Sequence, residues 1–225
     1  DLNIDGKEDL FVFDRTTNKV YTYLNLNNIW VYSPEYESIF PEMFYWALLV
    51  DYNCDGKKDI WTTANFGTKV YKNTSTADGL SFQLEKELIN TLGISGTQLN
   101  LAIDVTDIPS FVDVDEDGDL DILTYIPSFG SYIEYHKNFS QERYGVCDSL
   151  EFEKVTNRWG DFLECSCDFY VFGGNGTCRT EKVEHSGSTL LAFDLDEDGD
   201  LDILICEENY GTKSEGLGVV WYENP

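Results

Sequence analysis

The sequence is poor in positive charge: 15 lysines and arginines stand against 42 aspartates and glutamates, giving a formal net charge of −27 at neutral pH. Phosphate-rich partners are held by a surplus of basic side chains, so neither nucleic acid nor an anionic membrane surface is an expected partner. Histidine is scarce as well, with only His136 and His185, which leaves little for general acid–base chemistry. No apolar run approaches the ~18 residues that span a bilayer, so no direct membrane insertion is expected, and nothing at the start reads as an export signal. Helix-length apolar periodicity is also missing. One short helical turn is legible in "PEYESIFPEMF", bracketed by Pro34 and Pro41.

Against these absences stands enough apolar material for a core, 42% hydrophobic and 15% aromatic residues, which excludes a disordered chain. It comes in short runs bounded by Asn, Gly, Asp or Ser and rich in Tyr, Phe, Thr, Val and Ile, the signature of strands and turns. The expected fold class is therefore all-β.

The dominant motif is acidic. "DVDEDGDLDIL" from Asp113 crowds carboxylates around one glycine, and near copies follow from Asp1 ("DLNIDGKEDLF"), Asp51 ("DYNCDGKKDIW") and Asp194 ("DLDEDGDLDIL"). The common grammar is D-x-[DN]-x-D-G-x-x-D-[LI]. Like charges this close need a neutralising partner. Each copy runs into a strand ("LFVF", "IWTTA", "ILTYI", "ILICE"), a turn, and an aromatic strand ending on asparagine ("VYTYLN", "KVYKN", "IEYHKN", "VVWYEN"). A fourth strand is read in "WVYSPEY", "LSFQLEKEL" and "LEFEKVT", and the later copies are preceded by an apolar strand ("WALLV", "PSFV", "TLLAF").

A sheet of four short strands exposes an apolar face on each side, and radial stacking of such sheets covers both. The repeat thus predicts a single β-propeller region, 1–225, of four-stranded antiparallel blades at about 1–40, 41–90, 91–157 and 188–225, with a Cys-rich insertion at 158–187. About three and a half to four blades are present by this count, too few to close a ring. The expectation is a fragment of a larger propeller, for example of seven blades, whose upstream part is missing.

Calcium takes six to eight hard oxygen ligands, and a tight loop with acids at positions 1, 3, 5 and 9 and a backbone carbonyl at 7 can supply them, glycine at 6 allowing the turn. The candidate ligands are Asp1, Asn3, Asp5, Asp9 and the Lys7 carbonyl in loop one; Asp51, Asn53, Asp55, Asp59 and the Lys57 carbonyl in loop two; Asp113, Asp115, Asp117, Asp121 and the Asp119 carbonyl in loop three; and Asp194, Asp196, Asp198, Asp202 and the Asp200 carbonyl in loop four. Up to four calcium ions are expected. An EF-hand would need a bidentate glutamate at position 12, where the chain has Val12, Thr62, Thr124 and Ile205.

These loops, the "FG" pairs Phe66-Gly67 and Phe129-Gly130 with Tyr210-Gly211, and the "YKN", "HKN" and "YEN" endings together resemble the FG-GAP or VCBS-type repeats of integrin α propellers. The likeness covers most of the chain outside 158–187. "DYNCDGKKDI" and "HSGSTLLAFDLDEDGDLDIL" look most like surface proteins that Bacteroidota-type bacteria export by type IX secretion. The resemblance implies a non-enzymatic, calcium-stabilised module, secreted or at the cell surface, that binds a protein or a glycan and is attached to a surface or secretion complex through further regions. The alternative is the propeller of a secreted carbohydrate-active enzyme, catalytic or accessory.

Six cysteines and the sequons at Asn73, Asn138 and Asn175 fit an extracellular protein. Cys165-x-Cys167 lacks the gap of a zinc knuckle and no histidine lies at ligand spacing, which favours disulfides over zinc. Cys54 and Cys206, two blades apart, are expected not to pair with each other, and Cys147 and Cys178 each to take one of Cys165 and Cys167. No catalytic constellation stands out: His136 lies in an aromatic strand, and His185 beside Ser186 lacks a nucleophile elbow. Antiparallel strand parity places the calcium hairpins on one face and the long connections, about 90–107 and 158–187, on the other. The partner site is expected there, opposite the calcium loops, where Trp159, Phe162, Phe169, Tyr170 and Phe172 crowd together. The competing reading is that these aromatics only build the insertion's own small core.

Overall fold

The computed structural model describes residues 1–127, 132–166, 169–173, 187–207 and 219–222. The chain divides into two compact units, one of residues 1–51 and 55–89, the other of 52–54 and 90–225.

The first unit holds two antiparallel sheets. Strands β1 (Leu10–Asp14), β2 (Lys19–Leu26) and β3 (Ile29–Tyr32) form a meander, and β4 (Ala47–Val50), β5 (Asp59–Ala64), β6 (Gly67–Asn73) and β7 (Phe82–Lys86) form a second one in chain order. Between them the segment bracketed by the two prolines is a 3-10 helix, Pro34–Ile39, as the sequence predicts. Leu2, Phe40, Met43 and Ile60 make the core, with Phe11, Leu49, Tyr71 and Phe82 packed against them. Phe40 sits between Phe11 and Phe82 at ring-centroid distances of 4.9 and 5.2 Å. β5 is buried from Asp59 through Thr63, the burial of an inner strand whose β-branched and aromatic residues suit it. At the "FG" turn after β5, Phe66 adopts a φ of 67° and is almost fully exposed.

The second unit contains β8 (Asn90–Leu92), β9 (Gln98–Asn100), β10 (Ser110–Val112), β11 (Asp121–Tyr125), β12 (Ile133–Asn138), β13 (Phe152–Thr156), a hairpin of β14 (Phe162–Ser166) and β15 (Phe169–Phe172), and a meander of β16 (Ser188–Phe193), β17 (Asp202–Glu207) and β18 (Val219–Tyr222). A five-residue helix, α1 (Ser140–Tyr144), ends on Gly145, whose φ of 67° lets its N–H reach the Gln141 carbonyl at 2.9 Å. Leu123, Tyr125, Ile133 and Tyr135 from β11 and β12 share one core with Leu190, Ala192, Ile203 and Ile205 from β16 and β17.

The all-β class holds, and the four repeats lie in sheets of three, four, six and three strands. The third departs from four: its sheet runs β10-β11-β12-β13-β8-β9, because the β8–β9 hairpin of the long connection pairs in parallel with β13, Thr91 opposite Phe152 and Leu92 opposite Glu153. The outer edge of β13 would otherwise leave its backbone groups unpaired. Among the described residues no sheet closes on itself.

The pairing expected for Cys147 is wrong, while Cys54 and Cys206 are, as expected, not joined to each other. Cys147 forms its disulfide with Cys54, 93 residues away, with Cα atoms 6.0 Å apart. Both cysteines fall in the second unit, and both sulfurs lie near the Gly118 carbonyl oxygen, at 3.7 and 3.5 Å. Cys54 occupies an exposed left-handed position, φ 59°, which turns its side chain out of its own loop. Cys165 is also disulfide-bonded and Cys206 is free; the pairing expected for Cys167 and Cys178 lies outside the described residues.

Candidate metal centre

The four acidic loops fold alike. The position 1 carboxylate accepts the N–H groups of positions 5 and 6: Asp1 from Asp5 and Gly6 at 3.1 and 2.9 Å, Asp51 from Asp55 and Gly56 at 3.2 and 2.9 Å, Asp113 from Asp117 and Gly118 at 3.1 and 2.9 Å, and Asp194 from Asp198 and Gly199 at 3.2 and 3.0 Å. The position 5 carboxylate takes the N–H of position 7, from Lys7, Lys57, Asp119 and Asp200, at 2.9–3.1 Å. Two left-handed residues make this winding possible. Position 4 is Ile4, Cys54, Glu116 or Glu197 with φ of 59–63°, and position 6 is the glycine with φ of 81–98°, a conformation that side chains with a Cβ disfavour.

Position 9 has a second task that the motif alone does not reveal. Asp9 accepts from Leu2 N–H at 2.6 Å and Asn25 N–H at 2.8 Å; Asp121 accepts from Val114 N–H at 3.0 Å, Asn138 N–H at 2.7 Å and the Tyr135 hydroxyl at 3.1 Å; Asp59 accepts from Asn73 N–H at 2.7 Å and Asp202 from Leu195 N–H at 2.9 Å. In the first three repeats this aspartate ties the loop to the asparagine that ends the aromatic strand, which explains why both residues recur there. Burial pushes the Asp121 carboxyl up to about 7, against the opposing pull of its hydrogen bonds from Asn138 and Val114. Replacing Asp121 by Asn puts an amide N–H₂ among N–H donors. The variant is expected to lose roughly 1–3 kcal/mol of stability even in chelator, and more with calcium because a candidate ligand carboxylate is lost as well, as urea unfolding would measure.

Loops three and four gather the most carboxylate. Oxygens of Asp113, Asp115 and Asp121, and likewise of Asp194, Asp196 and Asp202, lie within 4.8 Å of one another. No such triad among the described residues falls in loops one and two, where position 3 is Asn3 or Asn53. Asp119, read from the sequence only as a carbonyl donor, is 1% exposed and its carboxylate accepts the Gln141 N–H at 2.8 Å. Burial pushes it up to about 6. Buried oxygens of Asp119 and Asp200 have no hydrogen-bond donor. Orphaned carboxylate oxygens inside an oxygen-rich loop fit a hard cation and fit little else.

Two residues that no motif flagged join loop three. Glu142 on α1 brings a carboxylate oxygen within 4.8 Å of those of Asp115 and Asp117, and the Lys137 ammonium pairs with Asp115, Asp117 and Glu142. Burial opposes the Lys137 charge, but its hydrogen bonds to Asp115 and Glu142 hold its pKa well above the usual lysine value. Lys137 lies on a strand and Glu142 on a short helix, both beyond the loop itself, so only the pairing register could have found them.

Of the two histidines, His136 lies among the described residues. His136 is buried, with Nδ1 3.0 Å from the Thr91 hydroxyl and Nε2 3.1 Å from Glu134, whose other oxygen accepts from Lys154 at 2.7 Å. The spacing imitates a nucleophile, base and orienting acid, yet Thr91 is 1% exposed, so no substrate can reach it. The chain holds β8 to the sheet instead. Burial raises the Glu134 carboxyl, and the hydrogen bonds from His136 and Lys154 outweigh it, leaving its pKa lowered. A lowered acid contributes stability above its unfolded value, about 4.3, and loses it as pH falls through the folded value. Glu134→Gln is therefore expected to cost roughly 1.5–3 kcal/mol at neutral pH and less at acid pH, in urea titrations at both. His185 lies outside the described residues.

Residues 1–62 match the family model described as FG-GAP-like repeat, a span that takes in loops one and two. No curated protein and no solved structure gives a match. The match is confined to residues 1–62; loops three and four, beyond the matched span, repeat the hydrogen bonding of loops one and two.

Proposed function

We propose that the chain is a calcium-stabilised, non-enzymatic part of an extracellular or cell-surface β-propeller, a module that binds a protein or a glycan. What carries the reading is one loop geometry built four times, with two left-handed residues spent on closing it and, in loops three and four, carboxylates gathered around one centre. Calcium would be held by Asp1, Asn3, Asp5 and Asp9 in loop one and by the corresponding side chains and position 7 carbonyls of the other three. The ion supplies charge that lets the loop stay closed; no chemistry is asked of it. Supporting an oxidising, extracellular setting are the disulfide between Cys54 and Cys147 and, among the described residues, the lack of any helix long and apolar enough to cross a membrane. Export by a type IX route belongs to the same proposal.

For the ligand, the face opposite the loops remains the proposed site. Of the aromatics expected there, Trp159 and Tyr170 pack against the core and Phe172 is 57% exposed; the side chains of Phe162 and Phe169 lie outside the described residues. Equilibrium dialysis against radioactive calcium tests the reading at its base. Up to four ions per chain are expected, with one fewer in each of Asp5→Ala, Asp55→Ala, Asp117→Ala and Asp198→Ala; a chain that binds none would end it.

A further inference from the structure

Loops three and four carry the same aspartates. "DVDEDGDLDIL" and "DLDEDGDLDIL" differ only at their second residue, so their own ligands predict equal affinity. The strand that follows makes them different. In the third repeat Ile122 stands opposite His136 and the next residue is Lys137; in the fourth Ile203 stands opposite Tyr222 and the sequence continues with Glu223, outside the described residues. In the other two repeats, Leu10 opposite Tyr23 and Ile60 opposite Tyr71 place Leu24 and Lys72 in that register. The loop of that second repeat has Asn53 at position 3, and Lys72 makes no ion pair among the described residues.

We propose that Lys137 is a built-in competitor for the cation of loop three, so that this loop fills only after loop four. This rests on the calcium reading of the loops. The ammonium sits where a metal ion's charge would be needed: it contacts Asp115 and Glu142 closely and lies 3.5 Å from Asp117 Oδ2. Only 15% of the side chain is exposed, so it is seated in the cluster and is not a loose surface lysine. A divalent ion entering between Asp115 and Asp117 meets a positive charge a few ångströms away and must drive it off two of its three partners. Lysine suits this role, as a point charge on a flexible stem. It also has a place to retreat to, since Nζ lies 5.1 Å from the centre of the Phe139 ring and Glu142 stands outside the loop. Loop three is thereby kept closed and charge-balanced without calcium, and its occupancy reports a higher calcium level than that of loop four.

The test follows each loop separately in the intact chain. The N–H groups of Gly118 and Gly199 donate into Asp113 and Asp194 at 2.9 and 3.0 Å, so their amide signals in glycine-labelled protein report loops three and four during a calcium titration. In the wild type the Gly199 signal should reach its midpoint at lower calcium than Gly118. Lys137→Met should move the Gly118 midpoint to roughly tenfold lower calcium or further and leave Gly199 in place, while Lys137→Arg, which keeps the charge, should stay near the wild type. Lys137→Gln serves if the methionine variant fails to fold, with the same shift expected. An unmoved Gly118 midpoint in a protein that still binds calcium overturns the competitor role alone. If neither glycine signal responds to calcium in the wild type, the calcium reading falls and this inference with it.

Discussion

Chelating calcium should lower the melting temperature of this protein by roughly 10–20 °C. A site held at 100 times its dissociation constant adds ~2.7 kcal/mol, two such sites about 5 kcal/mol, and a chain of this size shifts by about 2–4 °C per kcal/mol. The physical source is the crowding of carboxylates in each loop. Without an ion, the loops hold their negative charges together by backbone N–H groups, with an exposed Lys7 ammonium 3.5 Å from Asp5 in loop one, whereas loop three borrows the well-seated Lys137 ammonium. Loops one and two, with three ligand carboxylates each, should release calcium first as free calcium falls. Asp198→Ala should remove one loop's share of the calcium-dependent stabilisation, and Asp117→Ala another, smaller by whatever Lys137 already supplies. The measurement is thermal unfolding followed by circular dichroism with calcium and with chelator. A wild type whose melting temperature ignored the chelator would reduce the loops to acidic turns.

The second large effect is expected from the disulfide. Joining residues 93 apart removes loop-closure entropy from the unfolded chain worth about 4–5 kcal/mol in the chain-entropy model. Cys54→Ser, Cys147→Ser and the double variant should therefore all lose about 10–15 °C, and by the same amount, since either change breaks the same bond. Reductant should reproduce the loss in the wild type. Because Cys54 donates nothing to the carboxylate ring of its own loop, the calcium-dependent part of the melting temperature should survive in these variants. Single variants that differed sharply from each other would mean that one cysteine acts through something other than this bond.

The strands were legible because each is a run of β-branched and aromatic residues between turn formers, and because four copies of one grammar fix where each begins. The loops were legible because their chemistry is local: every hydrogen bond that winds positions 1, 5, 6 and 7 lies within six residues. What escaped the sequence is what depends on distant segments meeting. β8 and β9 are three residues each, Asn90–Leu92 and Gln98–Asn100, too short to show alternation, and they exist as strands because the edge of β13 accepts them. Thr91, His136, Glu134 and Lys154 come from three strands and read singly as unremarkable polar residues. The position 9 aspartate was read as a ligand, while its grip on Asn25, Asn73 and Asn138 needed the strand register. Cysteine spacing misled outright, because proximity in the chain between Cys147 and Cys165 said nothing about which thiol the fold would bring close.

Position 4 of the loops varies in side-chain chemistry among the copies. Its residue is Ile4, Cys54, Glu116 and Glu197 in turn, always left-handed and always exposed, and none of the loop's own bonds uses its side chain. The repeat therefore presents a rigid bracket with one interchangeable fitting. In the second copy that fitting is a thiol and has become a covalent clasp; in the others it is a greasy or an acidic tip. Natural drift, or a protein engineer, could exchange what is mounted there, a cross-link, a label or a contact residue, while the ion-holding frame beneath it keeps its shape.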